Sequence, residues 1–110
     1  MSPVVASRAA AGLLRALLRR AGNHDDRILL NEILSTEWRS LTLEGERHFI
    51  VLRLTGEDAG AMCTSLTTGL EEAEFAIPGQ IVADIALARA PFHAEDGSIS
   101  VAIEALTIEE

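Results

Sequence analysis

Lysine is absent from this chain. All nine basic residues are arginine, set against seventeen acids, for a net charge of −8. The deficit is uneven. Residues 1–24 hold Arg8, Arg15, Arg19 and Arg20 with no acid, so the rest of the chain carries −12. A body that acidic repels a phosphate backbone, which argues against nucleic acid as a partner. Cysteine is nearly absent as well. Cys63 alone rules out an internal disulfide and suits a reducing, cytoplasmic setting. No apolar run approaches the ~20 residues a bilayer-spanning helix needs, so a membrane is not the expected partner. The chain has no internal repeat, glycine-rich phosphate loop, paired CxxC or HExxH. By association, its alanine-rich, lysine-free composition suggests a GC-rich bacterial genome.

What remains is an ordinary globular composition, 48% hydrophobic and 24% charged over 110 residues. One domain of this size buries about two-thirds of its unfolded surface and needs no metal staple. Two units are expected, an amphipathic helix in residues 1–24 and a single α+β domain over 25–110. The helix is expected from Pro3 to Ala21, capped by Ser2 and stopped at Gly22. Leu13, Leu14, Leu17 and Leu18 form its apolar stripe, with Arg8, Gly12, Arg15 and Arg19 on the other side. Asn23 to Asp26 is a polar break. In residues 26–34, Ile28, Leu29, Leu30, Ile33 and Leu34 fit a short helix capped by Asp25 as well as they fit a strand; a short helix or irregular lead-in is expected.

A strand over 35–43 and its partner through Leu52 form a hairpin about Gly45. A type II′ turn there faces Leu43 with His48, Leu41 with Ile50, and Trp38 with Arg53, the last a cation–π pair. Thr55 or Gly56 then caps a helix. Its stripe of Ala59, Met62, Cys63, Leu66 and Leu70 is the clearest in the chain. Gly69 ends the helix, Glu71 to Glu74 is a solvated connection, and Pro78-Gly79 breaks the chain before a second hairpin. That hairpin pairs a strand starting at Gln80 with one from Ser98 to Ile108. A change of apolar parity predicts a bulge near Glu104-Ala105. The fold class is thus α+β, an N-terminal helix followed by a β-β-α-β-β unit. One mainly antiparallel four-stranded sheet carries the middle helix on one face. The expected core is Leu41, Leu43, Ile50, Leu52, Leu54, Met62, Cys63, Leu66, Leu70, Ile81, Ile85, Leu87, Ile99, Val101 and Ile103.

Candidate chemistry is sparse. Cys63 lies within the helix stripe and reads as a small buried hydrophobe, not a nucleophile. His93, Glu95 and Asp96, and likewise His24, Asp25 and Asp26, read as polar loops because their spacing matches no structural zinc or calcium site. Thr64, Ser65, Thr67 and Thr68 read as the wet face of the middle helix. Three residues stand out as a candidate ligand site: Trp38 for stacking, His48 for proton transfer and Asp84 for charge. For each the plainer reading is a packed side chain, a satisfied hairpin histidine and a mid-strand carboxylate paired with an arginine. No cofactor and no metal are expected.

The strands carry a stronger signal. A sheet with one wet face alternates apolar and polar residues, whereas Phe49-Ile50-Val51-Leu52 is apolar on both faces. Something must cover the second face. The expectation is a non-enzymatic interaction module working as a homo-oligomer, a dimer first. Leu13, Leu14, Leu17 and Leu18 either dock on that second face near Trp38, Phe49, Val51 and Val82, or meet a twin copy. The alternative is a small-molecule-binding protein or enzyme whose pocket requires Trp38, His48 and Asp84 to converge.

Overall fold

One antiparallel sheet organises the molecule, and both of its central strands are eleven residues long. In this computed structural model, which describes residues 6–22 and 26–110, helix α1 spans Arg8–Arg20 and strands β1 and β2 span Ile28–Arg39 and Glu44–Leu54. Helix α2 spans Ala59–Thr67, and a 3₁₀ turn spans Leu70–Glu72. Strands β3, β4 and β5 span Gln80–Leu87, Phe92–His93 and Ile99–Glu109. The sheet order is β1-β2-β5-β3, and the two-residue β4 also pairs with β5. The two hairpins therefore share one α+β sheet, with β4 as a short fifth strand. Among the described residues, no helix is long and apolar enough to cross a membrane.

Helix α1 starts later than its pattern suggested. Ser7 is the N-cap, its hydroxyl accepting from the Ala10 amide at 3.1 Å. The expected cap Ser2 and the first-turn Pro3 lie outside the described residues. Gly22 does take a positive φ at the helix end, as a stop requires. Gly12 belongs to the buried side with Ala9, Ala10, Leu13, Ala16 and Leu17, not to the arginine side. A Cβ there would stand 2.6 Å from Ile77 Cγ2, so glycine lets the helix lie close to the β3 lead-in.

The first hairpin corrects the sequence reading twice. Residues 28–34 are strand, not helix, and β1 pairs with β2 along its whole length. A bulge between Leu30 and Glu32 explains the misleading pattern. The extra residue, Asn31, places Leu30 and Ile33 on one face, three apart as on a helix. The turn also lies earlier than Gly45. Ser40 closes it, its amide donating to the Leu43 carbonyl (3.0 Å) and its hydroxyl accepting from the Leu43 amide (3.1 Å). His48 consequently faces Ser35, Ile50 faces Ile33, and Trp38 faces Gly45; Arg53 lies opposite Leu29. No Trp38–Arg53 pair exists. The cation–π contact is Arg89 over Phe49, 5.8 Å from the ring centroid. Gly45 serves a close approach instead of a turn: a Cβ would collide with the Thr107 carbonyl on β5.

The second hairpin also differs in detail. β5 pairs with β2 without a shift from Gly45↔Ile108 to Leu54↔Ile99, so it has no bulge at Glu104-Ala105. The irregularity lies on β3, between Val82 and Asp84. The small Ala105 and the polar Thr107 keep the core parity, while Leu106 and Ile108 point to the opposite face. Apolar residues on both faces made that strand appear to switch.

Helix α2 is capped by Asp58, whose side chain bonds Arg27 and not the helix, so Thr55 and Gly56 are not its caps. Thr55 Oγ1 instead donates to the Arg27 carbonyl at 2.9 Å. Gly69 is left-handed and divides α2 from the 3₁₀ turn, which takes up Glu71 and Glu72. Both helices pack on the same sheet face. Leu13 and Leu17 of α1 join Met62, Leu66 and Leu70 above Ile50, Leu52, Leu54, Val101 and Ile103 in one core. Helix α1 therefore covers this chain's own sheet beside α2, and not the second face near Trp38, Phe49 and Val51; Val82, expected on that second face, packs against the helix-side core instead. Leu41, Leu43 and Ile81 were expected in the core but are exposed by 103%, 46% and 52%. The first two fall at the hairpin turn once the register moves; Ile81 faces away from the helices.

Candidate functional site

The best-defined polar arrangement in the sheet centres on His48. Its strand position puts it on the helix-covered face with Ile50 and Leu52, where it is only 2% exposed. Ser35 of β1 lies 2.7 Å from Nδ1, and Thr107 of β5 lies 2.8 Å from Nε2. A neutral imidazole has one donor and one acceptor nitrogen, and each hydroxyl can play either part, so the ring is satisfied without a charge. Burial pulls its pKa below the ordinary histidine value, opposed by the Glu46 carboxylate. A hydroxyl beside an imidazole is the beginning of a nucleophile–base pair. Here the second nitrogen meets a threonine hydroxyl, not an orienting carboxylate, and burial denies a substrate access to the ring. The trio pins three strands together.

Trp38 and Asp84 lie elsewhere. Trp38 pairs with Gly45, and Asp84 with Leu106, which places both on the face away from the helices. They occupy opposite edge strands, three strand spacings or about 14 Å apart. Trp38 is half-buried and Asp84 exposed. Among the described residues, Asp84 joins no ion pair; Arg53 bonds Asp96 instead, at 2.5 Å. The three side chains are thus not brought together, and His48 is separated from the other two by the sheet itself.

Helix and loop candidates have structural roles. Cys63 is buried, and burial raises its thiol pKa. Thr64 and Thr67 return their hydroxyls to the Gly60 and Cys63 carbonyls within α2. Asp96 accepts from the Ser98 amide and hydroxyl, shaping the loop before β5, and those bonds lower its pKa. Among the described residues no group of three His, Cys, Asp or Glu could hold a metal. His24 and Asp25 lie outside them. Leu13 and Leu17 are fully buried within the chain, and Leu14 and Leu18 pack partly buried against the same core.

The distinctive surface is the sheet face that neither helix covers. Register places Leu34, Trp38, Phe49, Val51, Leu106 and Ile81 on it. Arg47 and Arg53 lie on β2, with Glu104 on β5 and Asp84 on β3. Of the seven large hydrophobics exposed among the described residues, five sit on β1 and the turn after it: Leu29, Leu30, Leu34, Leu41 and Leu43. That concentration marks one edge of the sheet, not a general scatter. Sequence reasoning missed Ser35 and Thr107 because nothing short of strand register connects them to His48. It missed the β1 leucines as a surface because they were assigned to a helix, although their density in residues 28–34 was plain. No family model, curated protein or solved structure matches this chain.

Proposed function

We propose that this protein is a non-enzymatic interaction module that works as a homo-oligomer, a dimer first, in the cytoplasm. The observation that carries this reading is the apolar surface concentrated on the edge strand β1, with Leu29 exposed by 48%, Leu30 by 44% and Leu34 by 57%. Exposed leucines concentrated on one edge strand and its turn are far more than a small monomer needs to leave in water. The interface belongs at the β1 edge because Leu13 and Leu17, the other candidates, are used up in the chain's own core. The acidic body argues against a nucleic-acid partner. Cys63, buried and unpaired, suits a reducing compartment. Light scattering of the full chain across a hundredfold range of concentration tests the reading. A mass of two chains that falls to one on dilution is expected, and a monomer throughout overturns it. A thermal-shift panel of metabolites and metals tests the rival reading. Stabilisation of several degrees by one ligand class would favour a small-molecule site.

A further inference from the structure

We propose that the free edge of β1 pairs with β1 of a second copy, antiparallel, across a two-fold axis at Leu34. This rests on the homo-oligomer reading above and specifies its geometry. β1 is a sheet edge, bonded only to β2, and is twelve residues long. Such an edge presents a row of free amides and carbonyls, and proteins that keep an edge unpaired normally shorten it, bulge it or stud it with charge and proline. β1 carries one bulge and Glu32, Glu37 and Arg39, yet it is long, lacks proline and exposes leucine on both faces. Leu29 and Leu34 point to the open face and Leu30 to the helix side, 48%, 57% and 44% exposed. A body stacked on the sheet would cover only one of these sets; a strand added edge-on reaches both.

The second copy is the occupant because β1 complements itself. With the axis at Leu34, that leucine meets its own twin. Counting the bulged Asn31, Leu29 falls opposite Trp38 of the second copy, Leu30 opposite Glu37, and Glu32 opposite Thr36. No like charges stand opposed. Moving the axis to Glu32 sets carboxylate against carboxylate, and moving it to Trp38 leaves Leu29 and Leu30 without a partner. An antiparallel two-fold of this kind is perpendicular to the sheet, so both open faces lie on the same side. The product is a continuous sheet of eight long strands with all four helices on the other side.

Opposite charges at the axis provide the test. Light scattering of the full chain should give two copies for wild type and one copy for Leu34→Glu and Leu34→Arg separately, with circular dichroism confirming that both fold. Mixing the two variants should restore a one-to-one dimer, because glutamate then faces arginine. In a Cys63→Ala background, Leu34→Cys should cross-link to itself on oxidation faster than Thr36→Cys. A wild-type dimer with unchanged Leu34 variants, or charge variants that stay apart when mixed, overturns the axis while leaving the oligomer reading intact. A wild-type monomer overturns both.

Discussion

The two faces of this sheet are made from the same strands and similar residues, yet they have different fates. On β2, Ile50, Leu52 and Leu54 lie under the helices with no exposure at all, while Phe49, Val51 and Arg53 alternate with them on the open side. Val51 and Ala102 are buried there too, at 7% and 1%, without a helix above them. They pair with each other on the two central strands, and on the same face Arg89 lies over the Phe49 ring. Local cover of that kind suffices in the middle of the sheet and fails at its β1 edge. Apolar content therefore does not by itself mark a helix-covered face. What matters is whether neighbours on the same face can close over it.

Four measurements would break or sharpen this contrast. The largest effect is expected from Leu52→Ala, which empties a fully packed position and should cost about 2–5 kcal/mol by urea unfolding. Leu34→Ala, measured where the chain is monomeric, should stay within about 0.5 kcal/mol. Equal losses would mean the two faces are not different in kind. Next is Gly12→Val, which drives a side chain into Ile77 and should cost about 1–3 kcal/mol by overpacking. Gly60→Ala, with open space around it, should instead be neutral or slightly stabilising.

A smaller effect is expected where the helices join each other. Arg20 of α1 donates through Nε to the Leu66 carbonyl at 2.9 Å and through Nη2 to the Thr68 carbonyl. It thereby satisfies carbonyls at the end of α2, where a cation is favoured. Arg20→Ala should lower stability by about 1–2 kcal/mol, discounted because the side chain is partly exposed. Arg19→Ala, on an exposed position, should do little. Equal effects would remove this tie between the helices.

The smallest effect is the pH dependence of the covered face. The folded state holds His48 below the ordinary histidine pKa, so at mildly acidic pH the unfolded chain binds more protons than the folded one. Stability is thus full above the unfolded value near 6.5. It falls as pH drops through that value, levelling only below the folded pKa. Urea midpoints between pH 8 and 5 should slope down for wild type and be flatter for His48→Gln. Parallel slopes would place the titration elsewhere.

Much of this fold was legible in the chain. The stripe from Ala59 to Leu70 located the second helix, Leu13 and Leu17 the first, and the apolar runs about Ile50 and Val101 the central strands. Periodicity reports such elements because burial on one side of a helix or strand repeats along it. It failed at residues 28–34, where one bulged residue converted strand spacing into helical spacing. It failed again at Gly45, where a glycine needed for contact with β5 resembled one needed for a turn. The candidate site was less legible still. Trp38, His48 and Asp84 stood out by residue type, but type carries no information about the distance between strands.

By itself, the sequence determined the α+β class, the order of the long elements, the covering role open to the first helix and the excess of apolar strand surface. These follow from local patterns of burial and from composition. Only the tertiary structure decided that both helices share one face, that His48 lies between Ser35 and Thr107, and that the leucines of β1 stand at an edge. Those outcomes depend on register and on which face a helix chooses. Residues far apart in the chain set both by fitting together: Gly12 against Ile77, Gly45 against Thr107 and Arg20 at the end of α2.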